Sequence, residues 1–254
     1  MTDTHVKNHG SIGNSIRSGK CILMCAGEFT PLEIEVGDDD IVIAVDAGLK
    51  YLEMLGVVPD YLIGDFDSVD ESMSDMISEF RESRPDRVIE LPVEKDDTDS
   101  LYALKFGLKL GFKRFDLYGA MGHRLDHTIA NIQTLIYAKG MGAEAYMFDD
   151  KCMVFAMCGR ETKRFSRGMT GMLALFAMSD SCTGVTETGL HYGLDDYTLT
   201  NTFPIGMSNE FDPDADDGEG HGATVTIGSG RALVIVTYEV EKKNKGQCFN
   251  EGRP

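Results

Sequence analysis

The chain has 254 residues, which suits one large domain or two of modest size. Its hydrophobic and charged fractions, 42% and 26%, are those of an ordinary globular protein, and its formal net charge is −18. This acidic balance disfavours nonspecific binding to nucleic acid or to an anionic membrane. The sequence has neither an apolar run long enough to span a bilayer nor an apolar signal core near its N-terminus. We therefore predict a cytoplasmic protein without a nucleic-acid or membrane partner.

Short apolar runs alternate with segments of helical periodicity in the first half of the chain. The predicted strands are 21–26, 41–46, 61–64, 88–91, 115–118 and 143–148. The predicted helices are 72–84, 98–110 and 127–139, and the apolar stripe of the last one is Ile129, Ile132, Leu135 and Ile136. Strands that alternate with helices form βαβ units. We therefore predict an α/β domain with a mainly parallel, doubly wound sheet that is covered on both faces.

Helical periodicity ends near residue 150, and glycine, serine and threonine become more frequent. The predicted strands of this half are 151–159, 160–164, 172–177, 222–228 and 232–238, with a hairpin turn at 228–231. We therefore predict that an all-β, antiparallel, sandwich-like domain follows the α/β domain. The predicted division is a flexible tail at 1–20, the α/β domain at 21–149, the β domain at 150–241 and a polar tail at 242–254.

Aspartates are concentrated where the predicted strands of the α/β domain end. Asp46 ends the second strand, and Asp65 and Asp67 follow the third. Further aspartates follow the fourth and fifth strands, at Asp96, Asp97, Asp99 and Asp126. In a doubly wound sheet these ends face one crevice, where ligands bind. Because converging carboxylates repel one another unless a cation is present, and hard oxygen ligands suit Mg²⁺ bound to phosphate, we predict a magnesium site that handles a phosphate-containing substrate.

Some of these aspartates also have ordinary structural explanations. Asp99 could be a surface residue in the first turn of a helix, where the helix dipole favours an acid. Asp97 or Thr98 could be the N-cap of the same helix. Asp65 and Asp67 are harder to explain in this way, because two carboxylates directly after a buried strand are costly unless they have a function.

The segment 119–127, which follows the fifth predicted strand, is a second candidate site. Its glycines, Gly119 and Gly122, let a ligand approach the backbone closely, and the next helix directs its first N–H groups at an anion. Arg124 can form bidentate hydrogen bonds to phosphate. The segment is not a dinucleotide fingerprint, because the third glycine is absent, and the chain has no Walker P-loop. The pattern indicates an anion-binding turn of another kind.

Taken in chain order, these motifs resemble those of thiamine pyrophosphokinases. The matching segments are 44–48, 59–68, 94–99, 119–131 and, in the β domain, 206–210. The segment 59–68, Pro-Asp-Tyr-Leu-Ile-Gly-Asp-Phe-Asp-Ser, is closely similar to the most distinctive motif of the family. The resemblance covers about residues 21–238. It implies that ATP donates its terminal diphosphate to the hydroxyl of thiamine, which yields thiamine diphosphate and AMP.

The resemblance also implies roles for individual residues. Magnesium would be held in a catalytic centre formed by Asp65, Asp67, Asp96 and Asp99. ATP would be bound by Asp46, Gly119, Gly122, Arg124, Asp126 and Asn131, and the thiamine pyrimidine by Ser208 and Asn209. One of the carboxylates would accept the alcohol proton, and the choice among them stays open. The resemblance further implies a homodimer, with each site between the α/β domain of one subunit and the β domain of the other.

The identity of the acceptor rests on fewer residues than the reaction class. Some family members stack a tryptophan on thiamine, but this chain has none. A flat cationic substrate still favours an aromatic face, for which the candidates are Tyr192, Tyr197, Phe203 and Phe211. The alternatives to thiamine diphosphokinase are diphosphate transfer to another heterocyclic alcohol such as hydroxymethylpterin, a non-catalytic nucleotide or metal sensor, and a structural or adaptor protein.

Overall fold

The computed structural model describes residues 16–66 and 71–238, and within these ranges the chain forms fourteen strands and four α-helices. The strands are β1 Cys21–Met24, β2 Ile41–Val45, β3 Tyr61–Gly64, β4 Val88–Glu90, β5 Arg114–Tyr118, β6 Glu144–Phe148, β7 Cys152–Cys158, β8 Glu161–Ser166, β9 Met172–Ala177, β10 Ser181–Thr188, β11 Leu194–Thr200, β12 Asn209–Glu210, β13 His221–Ile227 and β14 Arg231–Thr237. The helices are α1 Gly48–Met54, α2 Glu71–Ser83, α3 Asp99–Lys109 and α4 Leu125–Gly140. Asp67 of the predicted site lies outside the described residues, as does the predicted tail at 242–254.

Ten strands form one sheet in the order β12-β9-β14-β7-β6-β5-β1-β2-β3-β4. The strands from β1 to β6 pair in parallel, and those beyond β6 pair in an antiparallel manner. The chain proceeds outwards from β1 to β4 and then returns to the other side of β1 with β5. The β1–β5 pair is therefore a topological switch point, and the loops that follow the parallel strands surround one crevice at that edge of the sheet.

The other four described strands form an antiparallel sheet in the order β11-β10-β13-β8. This sheet packs on the antiparallel part of the ten-stranded sheet. Phe155 of β7 and Leu175 of β9 lie in the same buried cluster as Val185 of β10. The predicted fold class, a mainly parallel α/β unit followed by an antiparallel sandwich-like unit, is confirmed.

Both faces of the parallel strands β1, β2 and β3 are buried. Ile22 of β1 lies in a cluster with Leu52 of α1 on one face, and the next residue, Leu23, lies in a cluster with Leu104 of α3 on the other. The helix α2 and the four-stranded sheet cover the same face as α1, and α4 covers the same face as α3. Because both faces are buried, the strands read as continuous apolar runs rather than as alternating patterns.

The predicted strands and helices agree with the structure to within two residues at each end, but one α-helix and three strands were missed. The helix α1 has only seven residues, too few for a periodic stripe to be recognised. The strands β10 and β11 are rich in threonine, serine and acidic residues and lack a compact apolar run. The strand β12 has only two residues, and it is recognised as a strand because it pairs with β9, not from its own sequence.

Two further predictions are wrong. The segment 228–231 is not a hairpin turn, because β13 and β14, which flank it, belong to different sheets. It is a corner at which the chain passes from one sheet to the other. Ile129 is 50% exposed, whereas Leu135 is buried and Ile132 and Ile136 are partly buried, because the buried part of α4 begins only at Asn131.

The two predicted domains share the ten-stranded sheet. β6 pairs with β7 across the connection at 149–151, so the sheet continues through the predicted boundary, and the domain division remains a prediction. Near the start of the described chain, Lys20 Nζ lies 2.9 Å from Asp116 Oδ2 in a buried ion pair. The packed structure therefore begins before Cys21. None of the helices in the described ranges is both long and apolar enough to cross a membrane.

Candidate active site

Asp46, which directly follows β2, places its carboxylate across the end of β3. Its φ of +49° lies in the left-handed region, which is strained for a residue with a side chain. Gly64, the last residue of β3, makes room for this arrangement, because a Cβ at that position would lie 1.9 Å from Asp46 Oδ1. The strained backbone and the glycine together bring the carboxylate to the edge of the sheet that borders the crevice.

Asp65 and Asp99 share one cation, Lys95. The Lys95 Nζ atom lies 3.0 Å from Asp65 Oδ2 and 2.9 Å from Asp99 Oδ1. The three side chains are mostly buried, with exposures between 14% and 21%. Burial alone would lower the pKa of Lys95, but the hydrogen bonds and charges of Asp99 and Asp65 outweigh burial and raise it. The lysine therefore remains charged between the two acids.

Asp46 is the third carboxylate of this group, which we call the acidic cluster: Asp46, Asp65 and Asp99 with Lys95. Burial, followed by the charges of Asp99 and Asp65, raises the pKa of Asp46 to about 7, and Lys95 offsets this rise only in part. Its Oδ1 atom is buried without a hydrogen-bond partner. Three carboxylates against one ammonium leave the acidic cluster short of positive charge. Carboxylate oxygens with an unbalanced negative charge attract a divalent cation such as Mg²⁺.

The residues that precede Asp99 have separate structural positions. Asp97 accepts hydrogen bonds from Lys105 Nζ on both carboxylate oxygens, at 2.7 and 2.8 Å. Thr98 is the N-cap of α3, and its Oγ1 accepts the N–H of Leu101 at 3.3 Å. Capping therefore belongs to Thr98 rather than to Asp97. Asp96 is exposed, and its role in metal binding remains a prediction.

The turn after β5 packs against the segment after β1. Gly119 and Gly122 have φ values of +58° and +79°, which favour glycine. The N–H of Gly27 donates to the Gly119 carbonyl at 2.7 Å, so the two loops at the switch point are joined through their backbones. Asn131, which is buried on α4, donates its Nδ2–H to the Ala120 carbonyl at 2.7 Å. Asn131 therefore holds the turn from the helix side.

Arg124 and Asp126, at the start of α4, bind each other. The Arg124 Nε and Nη2 atoms lie 3.2 and 2.6 Å from the two carboxylate oxygens of Asp126. Both side chains are about two-thirds exposed, at 67% and 65%. The hydrogen bond from Arg124 is the largest cause of the lowered pKa of Asp126. The guanidinium is therefore accessible, and a phosphate that bound it would compete with Asp126.

Asp46, Asp99 and the turn after β5 border one cleft of about 230 Å³ at the switch point, whereas Asp65, Lys95, Asp96 and Asp126 are not among the residues that line it. Its lining is Cys25, Ala26, Gly27, Val45, Asp46, Thr98, Asp99, Ser100, Gly119, Ala120, Gly122, His123, Arg124, His127 and Asn131. The cleft therefore brings together most of the residues that the sequence predicted to bind ATP. The prediction of site residues did not include Lys95, although this lysine stands within the 94–99 motif, or the cleft residues Cys25, Ser100 and His127.

The predicted acceptor residues Ser208 and Asn209 lie on and beside β12. Ser208 is exposed and has a φ of +54°. Asn209 is 5% exposed, and its amide is engaged by neighbouring residues of the protein. Ser208 is thus available to a ligand, whereas Asn209 is committed to internal hydrogen bonds. The roles of both residues in binding remain predictions.

The four aromatic candidates differ in exposure. Phe211 is 6% exposed and packs edge-on against Phe165, with ring centroids 5.2 Å apart. It is therefore a core residue and not a ligand platform. Tyr192, Phe203 and Tyr197 are 66%, 63% and 37% exposed.

The fold and the site define a class of protein: a doubly wound α/β unit with an acidic crevice at its switch point, joined to an antiparallel sheet. Two family models match the chain. They are "Thiamin pyrophosphokinase, catalytic domain" over residues 33–147 and "Thiamin pyrophosphokinase, vitamin B1 binding domain" over residues 162–230. The chain belongs to the thiamine pyrophosphokinase family, and this membership indicates an enzyme.

Individual relatives agree with this assignment. Thiamine pyrophosphokinase of Bacillus subtilis (strain 168) is 26% identical over 175 residues, which are 66% of this chain and 77% of that protein. The crystal structure of thiamine pyrophosphokinase from Bacillus subtilis matches with a TM-score of 0.72 at 23% identity, covering 87% of this chain and 100% of that one. The yeast thiamin pyrophosphokinase structure matches with a TM-score of 0.65 at 12% identity, covering 89% and 88%. The structural matches establish the shared fold.

Proposed function

We propose that this protein is a thiamine diphosphokinase, which transfers the terminal diphosphate of ATP to the hydroxyl of thiamine. The observation that carries this proposal is the acidic cluster, three carboxylates with a single lysine at the ends of β2 and β3 and the start of α3. Family membership narrows the phosphate chemistry of such a site to thiamine. The thiamine oxygen attacks the β-phosphorus and gives up its proton to one of the carboxylates of the site. The bond from that phosphorus to the oxygen bridging the α-phosphate breaks, and AMP leaves with that oxygen.

Magnesium would be held by the carboxylates of this cluster. Asp65 and Asp99 lie together around Lys95, and the sequence motifs add Asp67 and Asp96 to the proposed ligands. When bound, the ion would neutralise the diphosphate and favour attack at the β-phosphorus. Lys95 would keep Asp65 and Asp99 in place and would add a fixed positive charge beside the transferred group.

The nucleotide would be positioned by the turn after β5 and by α4. The backbone N–H groups of the turn and the N-terminus of the sixteen-residue α4 attract phosphate. Arg124 is exposed and can bind a phosphate through two hydrogen bonds. Asn131 would support this site indirectly, because it holds the carbonyl of Ala120 and thereby the turn. Asp46 and Asp126 would line the same ATP site.

The acceptor would bind beside the second sheet, with Ser208 at the site and a second subunit nearby. The loop that leads to Ser208 exposes Phe203, Ile205 and Met207 by 63%, 44% and 53%. Exposed apolar side chains that are grouped in this way favour a protein interface. They support a homodimer in which the nucleotide site of one subunit faces the acceptor site of the other. Sedimentation that detected only a 27.9 kDa species at assay concentration would contradict the homodimer.

The function is tested by incubating the protein with ATP, Mg²⁺ and thiamine and measuring AMP and thiamine diphosphate by chromatography. We expect both products in equal amounts and none when EDTA removes the metal. Product formed with hydroxymethylpterin but not with thiamine would show that thiamine is not the acceptor. Nucleotide binding without AMP formation from either acceptor would favour a non-catalytic sensor. A variant that tests the metal site is Asp67→Ala. We expect it to fold but to form no product, because it removes a proposed metal ligand.

A further inference from the structure

Glu187 is a buried carboxyl group whose position in the fold is unusual. It lies on β10, is 3% exposed and points into the space between the two sheets of the β unit. Its Oε2 accepts a hydrogen bond from Asn209 Nδ2 at 3.0 Å, and its Oε1 is buried without a hydrogen-bond partner. Burying a polar group that is only half satisfied is costly, and an apolar side chain would fill the same space. The group therefore calls for a functional explanation.

The side-chain amide of Asn209, the partner of Glu187, forms two hydrogen bonds to the backbone of the exposed residue Tyr192. Asn209 accepts the N–H of Tyr192 on Oδ1 at 2.9 Å and donates Nδ2–H to the carbonyl of Tyr192 at 2.7 Å. A primary amide carries a donor and an acceptor side by side, so it pairs with both polar groups of Tyr192 as a neighbouring strand would. Glu187 takes the second N–H of the same Nδ2 and so fixes the orientation of the amide.

This arrangement joins the two sheets at the acceptor side of the molecule. Asn209 belongs to β12 at the edge of the ten-stranded sheet, and Glu187 belongs to the four-stranded sheet. The backbone of the segment 189–191 also pairs with 210–212, through His191 N–H to the Glu210 carbonyl at 2.8 Å and an isolated bridge between Leu190 and Phe211. The turn that carries Tyr192 is therefore held on both sides, next to Ser208.

The result is an aromatic ring presented outwards on a fixed backbone. Tyr192 is 66% exposed, and its ring meets His191 edge-on with centroids 4.5 Å apart. Phe203 is similarly exposed, but its backbone is held only by neighbours in its own loop: its N–H donates to the Thr200 carbonyl at 3.4 Å, and its carbonyl accepts the N–H of Ile205 at 3.0 Å. Among the exposed aromatic candidates in the described chain, Tyr192 has the backbone held by a buried amide and a buried carboxyl group.

We propose that Glu187 and Asn209 are positioning residues that hold Tyr192 as the aromatic face for the heterocycle of the acceptor. This inference rests on the proposed function, because it assumes a flat cationic acceptor that gains from contact with an aromatic ring. It assigns Asn209 an indirect role, with Ser208 and Tyr192 as the surface that touches the acceptor. Burial raises the pKa of Glu187, which reduces the charge that the space between the sheets must accommodate.

The test compares Glu187→Ala, Asn209→Ala and Tyr192→Ala with the wild-type protein. We expect Tyr192→Ala to raise the KM for thiamine by about tenfold, and the two positioning variants to raise it by about threefold to tenfold. The KM for ATP should stay within about twofold in all three, because the nucleotide cleft is formed by other elements. Glu187→Gln should restore the KM for thiamine, because its amide oxygen can accept the same hydrogen bond from Asn209.

Two further measurements separate positioning from mere stability. Hydrogen exchange of the Tyr192 amide should accelerate in Glu187→Ala and Asn209→Ala while the amides of β7 and β14 keep their protection. The control is Thr188→Val, which removes a hydroxyl bonded to Thr224 at 2.8 Å on the exposed face of the same strand and should alter neither readout. A lower melting temperature with unchanged KM for thiamine, or a parallel rise in the KM values of thiamine and ATP, would overturn the proposal.

Failure of this inference is distinguishable from failure of the proposed function. A wild-type protein that forms no product from ATP and thiamine overturns the proposed function and, with it, the role of Tyr192 in binding the acceptor. A wild-type protein that is active, with Tyr192 exchange unchanged in Glu187→Ala, overturns the positioning pair alone. Faster exchange together with a selective rise in the KM for thiamine supports both.

Discussion

Two clusters of charged side chains differ in charge balance. The acidic cluster has three carboxylates and one ammonium. The other cluster, which we call the balanced cluster, consists of Lys139, Glu144, Glu161 and Lys163 and connects α4 and β6 to β8. Its distances are 2.6 Å for Lys139–Glu161 and 3.0 Å for Lys163–Glu144, and Lys139 also contacts Glu144. The balanced cluster has equal numbers of positive and negative side chains, whereas the acidic cluster has an excess of negative charge.

The difference in charge balance shifts the pKa of Glu144 in the balanced cluster and of Asp46 in the acidic cluster in opposite directions. Burial would raise the pKa of Glu144, but Lys139 and Lys163 outweigh burial and lower it. Burial and two neighbouring acids raise the pKa of Asp46 to about 7 in spite of Lys95. The carboxylate of Glu144 is thus stabilised as an anion by two lysines of the protein, whereas that of Asp46 is not, because one lysine is shared among three acids. The following variants test this comparison.

The largest expected effect is the loss of activity in Asp65→Asn. The substitution removes a negative charge from the acidic cluster without changing the volume, so we expect kcat/KM to fall by about a thousandfold or more. The free energy of unfolding should stay equal or rise slightly, because one repulsion is relieved. AMP formation measures the activity, and urea unfolding measures the stability. Activity that persisted in Asp65→Asn, or a clear fall in its free energy of unfolding, would contradict this account.

The matched change in the balanced cluster is Glu161→Gln. It leaves Lys139 and Lys163 with one carboxylate between them, so we expect a loss of about 3 kcal/mol in the free energy of unfolding. Activity below the unfolding transition should stay within about twofold of wild type. A stability change near zero would show that these ion pairs contribute little to the joining of the two sheets.

Metal binding should stabilise the wild-type protein by a smaller amount. An ion that binds only the folded state, at about thirty times its Kd, raises the free energy of unfolding by about 2 kcal/mol. Thermal unfolding in Mg²⁺ and in EDTA measures this difference. The shift should vanish in Asp65→Asn and persist in Glu161→Gln. Equal shifts in both variants would place the metal elsewhere.

The remaining expected effect is the pH dependence that Asp46 contributes in EDTA. Its pKa is about 7 in the folded protein against 3.8 as the ordinary value, so the folded state binds this proton more tightly than the unfolded state. The free energy of unfolding should therefore fall as the pH rises from about 4 to about 7. Asp46→Asn should flatten that part of the profile. An unchanged slope would contradict the raised pKa.

Prediction from sequence was strongest where local pattern and a topological rule agree. Asp46, Asp65 and Asp99 were placed at one crevice because apolar runs identify buried strands and the ends of parallel strands meet at one edge. Prediction was weakest where a partner strand decides the outcome. The glycine-rich segment 228–231 has the composition of a hairpin turn, but composition does not state that β13 and β14 pair with different sheets.

Orientation is the other property that the motifs left undetermined. The motif at Ser208 and Asn209 indicated a binding site but not which side chain points outwards. The structure turns the Asn209 amide inwards to Tyr192 and Glu187, and neither of these contacts leaves a signal in the spacing of the residues.

The sequence by itself determined the fold class, the order of the elements and the gathering of aspartates at the sheet edge, because these depend on periodicities within short segments and on one rule of chain topology. Only the tertiary structure decided which charges are balanced. Lys95 reaches Asp65 from 30 positions away along the chain, and Lys163 reaches Glu144 from 19 positions away. Charge balance is a sum over neighbours in space, so it is settled only when the distant segments have packed.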